Sequence, residues 1–340
     1  MTRVAGVIAA HNQERYIREA VLSLRAEVDE LVVVDDGSRD GTSVVLADLE
    51  GSADIRVLRH DEPRGVSVAY NHAVESVDAD VLLIQGGDDV TLPGRRAASV
   101  AALADASVTL VHSLPRVIDG AGSVLPDEAA GEFFVELAPS ELLSRLFNIG
   151  NYVCAPSAAV RRVDYVAAGG FPPGIDLLQD YALWLELAVH GAFHRTPEPL
   201  VEYRKHGSNL SREYVGVDSD RRRRYFAELA WIRDRFVDRA SADVLHRLRP
   251  LPPAPPDGEP WTRDELALLL RLGHSDRPLV RRGLADLFDL AVAHGDEGLK
   301  RLGLTRRDLD RLASIADHEG LGQLGRVRAI ARDLGRPIDA

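Results

Sequence analysis

Leu31–Thr42, LVVVDDGSRDGT, is the stretch whose reading decides the fold. Val32, Val33 and Val34 are β-branched and favour strand over helix. A run apolar on both faces reads as a buried strand of a parallel sheet. It delivers Asp35 and Asp36 to its C-terminal end, the edge of an open α/β sheet where ligands bind. Gly37, Ser38, Asp40 and Gly41 form the turn that follows, with Thr42 or Ser43 as the cap of the next helix. By itself such a stretch reads more readily as a plain strand with an acid-rich turn, and the neighbouring motifs change that.

The neighbouring segments repeat the pattern. Strands are expected at Arg3–Ala10, Ile55–Leu58, Ala79–Ile84, Val108–Ser113, Asn151–Val160 and Leu200–Arg204. Helical spacing runs through Asn12–Arg25, Thr42–Leu49, Gly65–Ser76, Gly94–Ala104, Ser140–Asn148, Val163–Ala168 and Leu177–His190. Alternating strands and helices mean an α/β fold with right-handed crossovers and a mostly parallel sheet. Asp119–Glu132 reads as a surface loop or hairpin. From about Asp218 the strand patterns vanish, and Leu251–Gly258 is a stiff proline-rich linker. The expected division is a catalytic domain over residues 1–215 and an all-helical region over 216–340.

The 340 residues carry a net charge of −12, which argues against a general nucleic-acid binder. The run Arg221–Arg224 reads as a solvated helix face. Cys154 is the only cysteine, so an internal disulfide is impossible and a cysteine-based metal site is not expected. That composition suits the cytoplasm. No apolar stretch is long enough to span a bilayer, which leaves a peripheral membrane position open.

Three motifs carry chemistry. Asp88 and Asp89 follow a buried strand through Gly86 and Gly87. Adjacent acids there need a cation, solvent or donors to offset their charge, and carboxylates suit Mg2+ or Mn2+. The bland reading is a turn with no ligand. Asp180 opens an apolar helix, either as a first-turn acid favoured by the helix dipole or as a general base. His206 precedes a glycine turn, as a loop residue or as a metal ligand completing a carboxylate site.

AAHNQERYIREAVLSL, VVVDDGSRDGT, PRGVSVAYNHAV, LLIQGGDDVTLP, GGFPPG with LQDYALWLEL, and YRKHGSNLS occur in that order. Together they resemble the family 2 glycosyltransferases of the GT-A fold, over roughly residues 1–215. The resemblance implies an inverting enzyme that moves a sugar from a nucleotide diphosphate sugar, with UDP as the expected nucleotide, to an acceptor hydroxyl. It implies that Ala9 and His11 line the base pocket, that Asp36 hydrogen-bonds the base, and that Arg64 lies near the base or diphosphate. It gives Asp88 to the ribose or the metal's water shell, Asp89 to Mn2+ or Mg2+, His206 to the same ion or to the diphosphate, and Asp180 to base catalysis. The chain departs from the family in three places. Gly86 stands where the family's first acid is common, Gln179 replaces the glutamate before the base, and His11 replaces a frequent aromatic.

Two other classes compete: a nucleotidyltransferase and a non-catalytic nucleotide-sugar-binding protein. The first is disfavoured because Ala9–Glu14 holds neither lysine nor glycine for a phosphate loop. The acceptor class stays open among sugar, lipid-linked, small-molecule and peptide acceptors. The helical C-terminal region is a candidate for acceptor binding, a homodimer interface or a membrane-facing surface.

Overall fold

A computed structural model describes residues 2–133, 138, 140–207, 209, 219–248, 255 and 258–317. The chain divides into two compact units, Met1–Leu142 with Gly150–Tyr225, and Leu143–Ile149 with the residues from Phe226 onward.

The strands of the first unit are β1 (Val4–Ala10), β2 (Glu30–Asp36), β3 (Arg56–His60), β4 (Val81–Gly86), β5 (Val90–Thr91), β6 (Val108–Ser113), β7 (Arg116–Asp119), β8 (Ala159–Arg161), β9 (Ala192–Thr196) and β10 (Val201–Lys205). Seven of them form one sheet in the order β3-β2-β1-β4-β8-β6-β9. Its pairs are parallel except those that β8 makes with β4 and β6. The mostly parallel α/β sheet expected from the alternation is therefore present, with one antiparallel insertion. A second sheet runs β5-β10-β7.

The helices are α1 (Ile17–Arg25), α2 (Thr42–Ser52), α3 (Val66–Ser76), α4 (Arg95–Leu103), α5 (Leu142–Asn148), α6 (Arg162–Ala167), α7 (Gln179–His190), α8 (Ser219–Arg239), α9 (Ala242–Leu248), α10 (Arg263–Leu272), α11 (Arg277–Arg301) and α12 (Arg306–Asp317). None of the described helices is long and apolar enough to cross a membrane.

The core of the first unit forms where α1 and α2 lay Ile17, Val21, Leu24, Leu46 and Leu49 on Val4, Ile8, Leu31 and Val33. Gly6 allows the approach: a Cβ there would lie 2.8 Å from both Leu24 Cδ2 and Leu31 Cδ1. Register then fixes the functional edge. Ala10 pairs with Asp35 and Ala9 pairs with Gly86, so the strand ends of β1, β2 and β4 finish side by side.

Several expectations need correction. The strand expected over Asn151–Val160 is confined to Ala159–Arg161. Asn151 folds its side chain onto the Val153 amide, and Pro156, which has no N–H for a ladder, sits in a 3-10 turn at Ala155–Ser157. Of the loop and hairpin readings of Asp119–Glu132, the chain takes the hairpin at its start. It holds an Ile118–Val124 antiparallel bridge and enters a 3-10 helix at Asp127–Phe133. β5, β7 and β9 are short or half-exposed and carry no clear alternation. At the start of α2 the N-cap is Gly41, with no side-chain cap, and Asp40 accepts the Thr42 amide at 3.0 Å. Apart from Pro255 and Gly258, the proline linker from Leu251 lies outside the described residues, as does everything after Asp317.

In the second unit, α10 begins with a capping box in which Thr262 and Glu265 bond each other's backbone amides. Leu268, Leu272, Val280, Leu284 and Leu287 form its core. Arg271, 4% exposed, bonds Asp234 at 2.9 Å and Asp286 at 3.0 Å and also reaches Asp238.

Arg95 is fully buried where the β4–β8 ladder ends. It donates to the Ile84 carbonyl at 2.7 Å, the Ala158 carbonyl at 3.0 Å and Thr91 Oγ1 at 2.9 Å. Arg95→Met leaves buried acceptors with fewer donors and should cost about 2–4 kcal/mol. Urea denaturation of the two proteins measures the difference.

Candidate functional site

The acids at the strand ends are each held by named donors. Asp35 is 2% exposed. It accepts the Ser38 amide at 3.1 Å and the Ser43 hydroxyl, so it shapes the turn into α2. Asp36 accepts His60 Nδ1–H at 2.6 Å, the Arg64 amide at 2.8 Å and the Gly65 amide at 2.9 Å. Its carboxylate thus fastens the turn that enters α3, and most of its accepting capacity is already used. Behind it, His60 Nε2 lies 3.0 Å from His72 Nδ1.

His11 is exposed above Asp36. Its Nδ1 lies 2.7 Å from the Asp36 carbonyl, so Nδ1 carries the proton and Nε2 accepts from Asn12 Nδ2 at 2.9 Å. Ala9 is at the end of β1 beside Gly86. The Arg64 side chain is exposed and makes no ion pair among the described residues. Asn12, at φ 54°, accepts the Arg39 amide at 2.8 Å and so laces the loops after β1 and β2 together.

Asp88 and Asp89 fold over Gly86. A Cβ on Gly86 would lie 2.7 Å from Asp89 Oδ2 and 2.8 Å from Asp88 Oδ1. A side chain at the position of the family's first acid would therefore require both carboxylates to turn aside. Gly87 is equally constrained, since a Cβ there would come within 1.9 Å of Gln13 Oε1.

The two acids have different surroundings. Asp89 is 2% exposed and accepts the Arg204 amide at 2.9 Å. Burial first, and then the charge of Asp88, push its carboxyl well above the usual range. Asp88 Oδ2 lies 2.9 Å from His206 Nε2 and 3.4 Å from Asn209 Nδ2. The family resemblance groups His206 with Asp89 at a metal; in the structure the imidazole faces Asp88, while Asp89 accepts the backbone amide of β10. Among the described residues no three His, Cys, Asp or Glu side chains gather as a metal cage.

Two residues not singled out from the sequence complete this corner. Arg204, nearly fully buried, donates to the Asp88 carbonyl at 2.8 Å and to Glu19 at 2.6 Å. Its guanidinium is 4.9 Å from the Tyr16 ring, whose centroid lies 4.8 Å from that of His206. Tyr16 is thus a platform beside the imidazole. Only a contact across the whole domain reveals this, and no local pattern encodes it.

Asp180 is partly exposed in the first turn of α7. Its Oδ1 accepts the Tyr181 amide at 2.7 Å and its Oδ2 accepts Asn151 Nδ2 at 2.8 Å. Burial pushes the carboxyl up to about 6, against the opposing pull of the Tyr181 amide and Asn151. The preceding Gln179 has a buried Oε1 with no partner. A glutamate there would bury a second negative charge beside Asp180.

α3 ties these clusters together. Its first residues hang on Asp36 through the Gly65 amide. Tyr70 donates to the Gln85 carbonyl at 2.8 Å, at the end of β4. Ser67 and Asn71 donate to the carbonyls of Ile175 and Phe171, at 2.5 Å and 2.7 Å, in the loop that leads to Asp180. Direct bonds join Asp36 to His60 and Arg64, and Asp88 to His206. Asp180 makes no bond to either cluster among the described residues, and α3 bonds the loop that precedes it.

The sheet with helices on its faces, acids on its C-terminal edge and Asp180 opening α7 has the GT-A fold. Residues 7–169, just under half of the chain, match the family described as Glycosyl transferase family 2. Succinoglycan biosynthesis protein ExoU of Rhizobium meliloti is 38% identical over 97 residues, 28% of this chain and 28% of that protein. An uncharacterized glycosyltransferase of a Nostoc species is 26% identical over 220 residues, 61% of this chain and 66% of its own length. The chain thus spans under a third of the first relative and about two thirds of the second.

Among solved structures, S. aureus TarS 1–349 in complex with UDP-GlcNAc aligns at a TM-score of 0.58 and 17% identity, over 98% of this chain and 89% of that one. The mannosyltransferase PcManGT of Pyrobaculum calidifontis, in complex with GDP-Man and Mn2+, aligns at 0.51 and 18% identity, over 98% and 85%. At such identities the likeness is one of fold.

The Asp180 carboxyl should titrate at about 6, well above an ordinary aspartate. Its carboxyl 13C shift, assigned with Asp180→Asn, measures this directly. A midpoint near 4 would contradict the buried setting.

Proposed function

We propose that this chain is an inverting glycosyltransferase that moves a sugar from a nucleotide diphosphate sugar, a UDP-sugar in the first instance, to an acceptor hydroxyl. The observation that carries the reading is Asp180. It is a half-buried carboxylate with two fixed donors, ionised at neutral pH yet basic enough to take a proton.

In the reaction, the acceptor hydroxyl gives its proton to Asp180 as its oxygen attacks the anomeric carbon. The bond from that carbon to the diphosphate breaks on the opposite side, and the electron pair leaves with the nucleoside diphosphate. Ala9, His11 and Asp36 line the base end of the donor, with Asp36 acting mainly by holding the Arg64–Gly65 backbone in place. The unpaired Arg64 guanidinium is free to turn toward the base or phosphates.

A carboxylate oxygen and an imidazole nitrogen converging at 2.9 Å are a donor set that fits Mn2+ or Mg2+. Asp88 and His206 would hold such an ion together with phosphate oxygens, with Asp89 bracing the pair from beneath. When bound, the cation supplies charge stabilisation for the departing diphosphate. UDP-GlcNAc bound to TarS and GDP-Man with Mn2+ bound to PcManGT support this donor class.

Asp180→Asn should keep nucleoside diphosphate binding and lose roughly a hundred- to ten-thousand-fold in turnover. UDP release from a panel of UDP-sugars with Mn2+ measures it, and near wild-type turnover would remove Asp180 from the chemistry.

His206→Ala should weaken Mn2+-dependent UDP binding by about tenfold or more. Calorimetric titration with and without Mn2+ tests the point. A wild-type affinity indifferent to the ion would dismiss the cation site.

A further inference from the structure

Asn151 is the side chain from outside α7 that bonds the Asp180 carboxylate. Its own orientation is fixed. Asn151 Oδ1 accepts the Val153 amide at 3.0 Å, so Nδ2 has to be the atom that faces Asp180, at 2.8 Å. An amide turned the other way would set oxygen against oxygen and leave the Val153 N–H without its acceptor. On the carboxylate, Oδ1 is turned back onto its own helix by the Tyr181 amide. Oδ1 and Oδ2 thus each accept one donor and each keep one lone pair, and Asn151, as the donor from outside the helix, fixes the rotation of the carboxylate.

We infer that Asn151 is a positioning residue: its Nδ2 donates to Asp180 Oδ2, fixes the rotation of the carboxylate and so aims the remaining lone pairs at the acceptor proton. The inference rests on the reading of Asp180 as the general base. Apart from burial, the influences on Asp180 are the Tyr181 amide, its own backbone and Asn151, with no other charged side chain among them. Among the described residues Asn151 is the one side-chain donor to this carboxylate, and its loss would leave only backbone donors. The neighbouring Gln179 is neutral and leaves that balance undisturbed.

Two substitutions separate positioning from a merely structural role. Asn151→Ala removes the donor to Asp180 and the acceptor for Val153 together. Asn151→Asp keeps the acceptor for Val153 and replaces only the donor, so it tests the role even if the alanine variant is unstable. The 13C titration of Asp180 is read in each, alongside UDP release across pH.

The Asp180 midpoint should rise by about one unit in Asn151→Ala and by more in Asn151→Asp, where two carboxylates compete for one proton. The acidic limb of turnover should move with it, so that turnover at pH 7 falls about twofold in Asn151→Ala and further in Asn151→Asp, with KM for the donor little changed. A midpoint and limb that stay at the wild-type position in both variants would overturn the inference, whatever happens to stability. Full turnover by Asp180→Asn would overturn it through the reading on which it rests. Loss of turnover in Asp180→Asn with unmoved limbs in the Asn151 variants would overturn the positioning role alone.

Discussion

Buried negative charge has to be answered, and much of the first unit is bent to answer it. β2 and β4 run apolar to their last residues and lead to pairs of carboxylates, at Asp35–Asp36 and Asp88–Asp89. Leaving such groups without partners away from water costs several kcal/mol each by any estimate. The chain supplies donors from wherever it can. Asp35 draws on its own turn, and Asp36 on the end of β3 and the entrance to α3. Asp89 takes a backbone amide from β10, and Asp88 a histidine and an asparagine just beyond it. The small second sheet brings β10 back to the first sheet's edge, where its amide meets Asp89.

Much of this follows from local physics. Buried β-branched runs identify β1, β2, β4 and β6, and the acids at strand ends follow from where those runs stop. The helices flanking the sheet show in their spacing. What escapes is of two kinds. Short or half-exposed strands such as β5, β7 and β9 bury too little on one face to leave a pattern. The partners of the acids escape as well, because Arg204 and Asp89 are 115 residues apart and a single sequence holds no record of their pairing.

The stretch around Asn151 combines both difficulties. Its apolar residues suggest a strand, yet Pro156 and the Asn151 side chain hold it as a loop. A residue type common in turns here has a second partner on another element, Asp180 on α7. The departures at Gly86 and Gln179 have local explanations too. The first leaves room for two carboxylates lying over the backbone, and the second keeps a buried neighbour of Asp180 uncharged.

Leu143–Ile149 grouping with the helices of the second unit bears on how this architecture can be altered. The polypeptide leaves the first unit at Leu143, returns at Gly150 and departs again after Tyr225, so three covalent crossings join the units. Phe147, with no exposed surface, lies 6.0 Å ring to ring from Phe236 and 5.2 Å from His274. A shortened protein ending at Tyr225 would strip that excursion of its apolar neighbours, only a few residues before Asn151. Any lineage exchanging its tail would have to inherit a replacement cradle for those seven residues in the same event, which makes the two halves poor candidates for modular shuffling.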